Sequence, residues 1–232
     1  MAFDRTRSHA RRDRISSFII RAYGLSAGYV MSPFPAYLSV AYSNGEGQTA
    51  ADYPTLQDKI EQAIDVTQTA LDQYRNPAVM WTGGKDSTLV MYFVQQVANE
   101  FGFDQPPAVF IDHFQHFPEI LEFVERWSDR WQFDVIWSRN DDVGALADEP
   151  GDTIAVADLN ERNRREVREK LDYEDDTFPF LLDTYVGNHL LKTVALNDTI
   201  EEYDIDGIVS GVRWDEQEAR ADETFFSPRH DV

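Results

Sequence analysis

Between residues 78 and 101 a short apolar run, Ala78 to Trp81, leads into Thr82-Gly83-Gly84-Lys85-Asp86-Ser87. Apolar residues then follow at Leu89, Val90, Phe93, Val94, Val97 and Phe101. The run is short enough for a buried strand, two glycines punctuate it, and the later spacing has the period of a helix. The order strand, glycine turn, helix aims several backbone N–H groups and the positive end of a helix at one point in space. An anion fits that point, and Lys85 adds a full positive charge.

The turn is not the common nucleoside-triphosphate loop. The pattern GxxxxGK[ST] needs glycine where Val79 stands and a hydroxyl residue where Asp86 stands. Its short form, TGGKDS, instead resembles the [ST]GGKDS pyrophosphate loop of enzymes that cleave ATP between the α and β phosphates. Thr82 takes the place of the usual serine and keeps a hydroxyl there. The alternative is a Gly-Gly turn that happens to precede a helix.

With 232 residues the chain is long enough for one sizeable α/β domain with extensions. Its 42 acidic residues outnumber 21 basic ones, a formal charge of -21. Such a surface disfavours nucleic acid and anionic membranes as partners. It suits concentrated salt, where the Debye length falls to about 3 Å and self-repulsion is screened. A halophilic cytoplasm is the expected setting, with an ordinary acidic mesophilic protein as the alternative. No apolar run reaches the length of a membrane span. There is no cysteine, so disulfides, thiolate metal sites and thiol catalysis are excluded.

The first thirty residues differ from the rest. Six arginines (Arg5, Arg7, Arg11, Arg12, Arg14 and Arg21) face only Asp4 and Asp13, a net of +4. Arg21 interrupts the apolar stretch after Ile15, and no convincing cleavage site follows, so a basic arm is a better reading than a signal peptide. Sequence upstream of a functional start near Met31 is a further reading. Residues 32–54, with Pro33, Pro35, Gly45, Gly47 and Pro54, read as an irregular lead-in. The expected organisation is therefore residues 1–54 as arm and lead-in, and 55–232 as a nucleotide-binding domain.

Within that domain, Thr55-Leu56-Gln57-Asp58 reads as a capping box that opens a helix. After the first strand, loop and helix come a second strand at 108–111 and a helix opened by Pro118 and Glu119. A third strand is expected at 134–137 and a loop over 139–157. An exposed helix over 158–171, a more buried one over 184–203 and a fourth strand at 207–210 complete the pattern. Alternating strand and helix implies an α/β, doubly wound, mostly parallel sheet with helices on both faces. Ligands of such sheets bind beyond the carboxyl ends of the strands. That rule is expected to bring together residues 82–87, Asp112 to Glu119, and Gly211 onward.

Asp112 at a strand end suits a ribose, a hydrated magnesium ion, or a capping or solvated role. His113 and His116 lack a third ligand at metal-site spacing and read as polar dressing of a helix entry. Arg162, Arg164, Arg165 and Arg168, interleaved with Glu161, Glu166 and Glu169, suggest a salt-bridged solvated face. A phosphate-binding or partner surface is the alternative. Arg213, two residues beyond Gly211, suits a forked contact to phosphate or sulfate, with a mixed-charge surface loop as the alternative.

Taken together, these segments resemble the family that contains the small subunit of ATP sulfurylase and the phosphoadenosine phosphosulfate reductases. TGGKDS matches its SGGKDS, and Asp112 through Phe123 resembles its DTGxxFPE block. Lys192-Thr193, Ala195-Leu196, Gly207 to Arg220 and Phe226 to Arg229 resemble the sulfurylase subunit's KT-AL and GxRxDExxxRAxExxFSxR blocks. The resemblance covers roughly residues 55–230. The family's reductases need a cysteine nucleophile, which this chain lacks. Family members also continue past the equivalent of Arg229, so the domain is expected to be truncated at its C-terminus.

The resemblance implies adenylyl transfer from ATP to sulfate or a related oxyanion, with magnesium pyrophosphate leaving. Thr82, Gly83, Gly84 and Ser87 would hold the pyrophosphate with Lys85, and Asp86 would bind magnesium. Asp112 would locate the nucleoside, while Arg213 and Arg220 would grip the acceptor or α-phosphate. It also implies a larger GTPase subunit as partner and is compatible with a homo-oligomer. Another acceptor, such as a tRNA base or a carboxylate, and a non-catalytic nucleotide-binding role are the alternatives.

Overall fold

The fold is described from a computed structural model, which places Leu38, residues 41–214 and residues 223–227. The expected basic arm and Arg220 lie outside the described residues. Helix α1 (Leu56–Gln73) opens on the capping box read from the sequence: Thr55 Oγ1 accepts from the Asp58 amide, and the Asp58 carboxylate accepts from the Thr55 amide. Strand β1 (Pro77–Met80) follows, then helix α2 (Lys85–Phe101), strand β2 (Ala108–Ile111), helix α3 (Pro118–Trp131) and strand β3 (Val135–Ser138). Strand β6 (Gly207–Val209) completes a four-stranded parallel sheet of order β3-β2-β1-β6.

Both faces of the sheet are covered. On one, Val79, Trp81, Ala108 and Phe110 pack against Met91, Val94 and Val97 of α2 and Val124 of α3. On the other, Ala78 and Val109 pack with Ile205, Leu196 and Ile200. Side chains of successive strand residues point to opposite faces, which is why Ala78 and Val79 belong to different cores. Strand β6 is held beside β1 from below: Asp206 accepts from the amides of Arg75 and Asn76, each at 2.8 Å, and the Asn76 amide group donates to the carbonyls of Tyr203 and Asp204.

Between β3 and β6 the chain is more structured than its sequence suggests. The expected loop over 139–157 contains a short helix α4 (Asp141–Gly144) and strand β4 (Thr153–Ala155). Strand β4 pairs antiparallel with β5 (Thr177–Pro179). The expected exposed helix starts at α5 (Glu161–Arg165) and continues as a π-helical turn (Glu166–Lys170). It is not exposed all round, because Asn163 and Val167 are buried. The last helical stretch runs through α6 (Tyr185–Asn188), a π-helical turn (His189–Val194) and α7 (Ala195–Glu202). These pieces share their own core of Val143, Ile154, Val167, Phe178, Leu190 and Leu191.

Residues 41–54, grouped with the arm on sequence, pack into the domain. Tyr42 lies against Ala70 and Phe226, Tyr53 stacks on Trp214, and the Phe225 amide donates to the Asn44 carbonyl. The described residues accordingly belong to one compact unit.

Candidate functional site

The turn after β1 is closed from inside by its own hydroxyls. Thr82 Oγ1 and Ser87 Oγ are 3.0 Å apart, the Thr82 amide donates to Ser87 Oγ, and Ser87 Oγ donates to the Gly84 carbonyl. One residue outside on each side, buried Trp81 donates its indole N–H to Thr88 Oγ1 at 3.0 Å and clamps the loop to the core. Gly83 has φ +72°, a left-handed conformation that glycine adopts without steric cost. Helix α2 then begins with Gly84 as its cap.

This arrangement separates scaffold from donors. The Gly84 amide is taken by Thr82 Oγ1 at 3.3 Å. Among the described residues, no protein atom accepts from the amides of Gly83, Lys85, Asp86 or Ser87. Thr82 and Ser87, expected to bind the nucleotide, use their hydroxyls to shape the turn. The unclaimed donors are main-chain groups at the front of a 17-residue helix.

Lys85 and Asp86 face solvent as neighbours. Lys85 Nζ is 2.8 and 2.6 Å from the two Asp86 oxygens, and Arg213 Nη1 is 3.6 Å from Asp86 Oδ1. The Lys85 hydrogen bonds, helped by the Arg213 charge and opposed by some desolvation, hold the Asp86 carboxyl below the ordinary carboxylate range. Arg213 arrives from β6 because Gly211 passes within a Cβ's reach of the loop. A methyl there would stand 3.1–3.2 Å from the Asp86 carbonyl and the Ser87 nitrogen. Two of the three segments expected to converge therefore meet directly.

The third segment, after β2, is built differently from expectation. Asp112 is buried and neither solvated nor a helix cap. Its Oδ2 accepts from Arg139 Nε at 2.8 Å, with Arg139 Nη2 at 2.6 Å, and its Oδ1 accepts from the Phe114 amide at 3.0 Å. Arg139, which the sequence reading passed over, also lies over the Trp137 ring, 5.4 Å from its centroid. The His113 and His116 rings stack at 3.7 Å. His116 Nε2 meets the Ile111 carbonyl, and His113 Nδ1 accepts from the Gln115 amide. Burial, then the charges of His116 and Lys192, push His113 down to about 4, so it is neutral at pH 7.

Gln115 continues into a cleft of about 410 Å³ lined also by Leu181, Leu182, Asp183, Asn188 and Lys192. Lys192 rides on the π-helical turn and is half-buried, and its ammonium makes no hydrogen bond or ion pair among the described residues. A π-helical turn often marks a functional position. Lys192 appears in the KT-AL block, yet its spacing alone does not disclose that it faces a cleft.

Arg162 and Arg164 of α5 and Arg168 of the π-helical turn after it do not pair along their own helix as expected. Arg162 reaches Asp198 and Glu201 on α7, Arg164 donates to the Ala157 carbonyl, and Arg168 donates to the carbonyls of Tyr173 and Asp175. Glu166 instead meets His189 at 2.8 Å, joining the two π-helical turns. This network braces the second core rather than presenting a cationic face.

No group of three His, Cys, Asp or Glu side chains among the described residues could hold a metal ion. A single carboxylate at Asp86 fits magnesium only in company with phosphate oxygens, the manner in which this ion commonly binds with nucleotides. No helix among the described residues is long and apolar enough to cross a membrane.

The phosphoadenosine phosphosulfate reductase domain family matches residues 76–232. Sulfate adenylyltransferase subunit 2 of Rhizobium meliloti is 26% identical over 178 residues, covering 76% of this chain and 49% of that protein. The same subunit of Brucella ovis is 28% identical over 171 residues, covering 73% and 46%. The chain thus spans about half the length of these relatives. A phosphoadenylyl-sulfate reductase from Candida auris, crystallised as a phosphate complex, superposes with a TM-score of 0.40 at 12% identity over 68% of each chain.

Proposed function

Because the chain belongs to the phosphoadenosine phosphosulfate reductase domain family, we propose that it transfers the adenylyl group of ATP to sulfate. A sulfate oxygen attacks the α-phosphorus, forming an O–P bond, while the bond from the α-phosphorus to the bridging oxygen breaks. That electron pair leaves on pyrophosphate. The reduction chemistry of other family members needs a thiol, and the chain has no cysteine.

One observation carries this reading: among the described residues the amides of Gly83, Lys85, Asp86 and Ser87 have no protein acceptor, and the Lys85 ammonium stands with them where β1 ends. Preorganised donors aimed at developing charge are the usual source of rate enhancement in such a displacement, together with positioning. Gly83, Lys85, Asp86 and Ser87 would receive the leaving pyrophosphate on their N–H groups. Lys85 would exchange Asp86 for phosphate, which frees Asp86 for magnesium carried in with ATP. When bound, magnesium supplies charge neutralisation on the pyrophosphate oxygens. Arg213 would reach the α-phosphate, and Lys192 in its cleft would attract the incoming sulfate. The relatives are each a subunit 2, so the proposed enzyme works with a further, larger subunit.

The test is ATP–pyrophosphate exchange measured with and without sulfate, and with Lys85→Ala. Exchange that requires sulfate and is lost in Lys85→Ala is the expected result. Exchange that requires a different acceptor moves the chain to another pyrophosphate-loop reaction. ATP binding without exchange, alone and with the partner subunit, makes it a nucleotide-binding protein.

A further inference from the structure

The loop that would hold phosphates is on β1, and the Asp112–Arg139 pair is at the ends of β2 and β3. The paired residues Ile111 and Ser138 put Asp112 and Arg139 side by side where these two strands finish. Two interstrand spacings, about 10 Å, separate β1 from β3. Arg139 therefore lies on the same carboxyl edge of the sheet as the loop, two strands away.

The two directions away from the loop differ in how firmly their charges are held. Toward β6 the loop meets Arg213, whose Nη1 lies 3.6 Å from Asp86 Oδ1, and the exposed Lys85 shares that carboxylate. Toward β3 the Arg139 guanidinium is matched one to one by buried Asp112, so the pair is neutral overall. It is also rigid. Nε and Nη2 both converge on Asp112 Oδ2, the Phe114 amide holds Oδ1, and the Trp137 ring supports the guanidinium plane.

Nη1 makes no hydrogen bond among the described residues, and the Arg139 side chain is 43% exposed. With Nε and Nη2 committed to Asp112, the bidentate fork is used up and Nη1 remains as a directed donor for a single acceptor oxygen. A nucleotide whose phosphates occupy the loop, laid across the strand ends toward β3, brings its sugar over β2 and β3.

We propose that Arg139, oriented by Asp112, is a nucleoside-binding residue whose Nη1 edge donates to a ribose hydroxyl oxygen of the bound nucleotide. This rests on the phosphate-loop reading and reassigns Asp112 from direct ligand to positioning residue.

Calorimetric titration of the full chain with ATP, with 2′-deoxy-ATP and 3′-deoxy-ATP, and with inorganic tripolyphosphate tests it. Wild type binds ATP more tightly than at least one deoxy form. Arg139→Lys weakens ATP roughly tenfold, the value of one charge-assisted hydrogen bond. It removes the preference for the ribose hydroxyl and leaves tripolyphosphate affinity unchanged, because that probe meets only the loop. The double variant Asp112→Asn/Arg139→Gln keeps a neutral hydrogen-bonded pair and gives the same pattern should Arg139→Lys fold poorly.

A ribose preference that survives in both variants overturns the assignment. So does a parallel loss of ATP and tripolyphosphate affinity in folded protein. Wild type that binds tripolyphosphate but not ATP overturns Arg139 alone. Wild type that binds neither overturns the loop reading and this inference with it.

Discussion

Two cation–carboxylate pairs stand on the same edge of the sheet, and they are made in opposite ways. Lys85 and Asp86 are sequence neighbours with side chains 77% and 34% exposed. Arg139 and Asp112 come from different strands, 27 residues apart, and the Asp112 side chain is 6% exposed. An exposed pair gains little from its attraction because water and salt compete for both charges. It can exchange partners when a ligand arrives. A buried carboxylate has no such freedom, because losing its cation leaves an uncompensated charge in a poorly solvating place. The first pair is suited to chemistry and the second to geometry.

This contrast can be broken at several points. The largest effect is expected from Lys85→Ala, which should lower the ATP–pyrophosphate exchange rate by about 10²–10³, the usual cost of one donor to developing charge. Urea unfolding of that variant should match wild type; a coupled loss of stability would show that the exposed pair is structural after all.

Arg139→Ala should do the reverse. It should cost about 2–3 kcal/mol in urea unfolding, the low end for stranding a buried carboxylate, since the arginine itself is partly solvated. Asp112→Asn combined with Arg139→Ala should recover part of that loss. An unchanged midpoint in Arg139→Ala would place Asp112 in water.

A smaller effect tests the meeting of β6 with the loop. Gly211→Ala puts a methyl 3.1–3.2 Å from the Asp86 and Ser87 backbone. The loop must shift by a few tenths of an ångström, and exchange should fall about tenfold with stability lowered by no more than about 1 kcal/mol. Equal activity would mean that the loop tolerates displacement.

The smallest effect concerns pH. His113 is held at about 4 in the folded protein against an ordinary 6.5. Between these values the unfolded chain binds the proton and the folded one does not, so protonation favours unfolding. Its contribution is fully present above about 6.5 and declines as pH falls to about 4. His113→Gln should flatten the pH dependence of urea midpoints in that window. An identical slope would assign the dependence to other groups.

The capping box of α1, the glycine turn and the helical period of α2 were legible because each depends on residues within one or two turns of chain. The parallel sheet was legible for the same reason, as alternation of strand and helix. The pairing of β4 with β5 was not. Each strand has three residues, too few to show alternation, and they are more than twenty residues apart. The short α4 and the two π-helical turns likewise lack a period of their own. The second core stabilises them: Val143, Val167, Leu190 and Leu191 are all buried in it.

The site divides along the same line. TGGKDS announces its donors because the geometry that presents them is local. The hydroxyls of Thr82 and Ser87 read as ligands, yet they close the turn, an assignment that depends on which atoms lie 3.0 Å apart. Asp112 was recognisable as a polar strand end, but its partner Arg139 was not. Lys192 was visible as part of a motif, but its half-buried place in a cleft was not. Composition alone showed that these 232 residues hold no thiol, and short-range backbone rules alone set the glycine turn and its unclaimed amides. Desolvation and long-range pairing decided which charges remain exchangeable and which are locked. Those depend on neighbours distant in the chain, so only the folded arrangement could determine them.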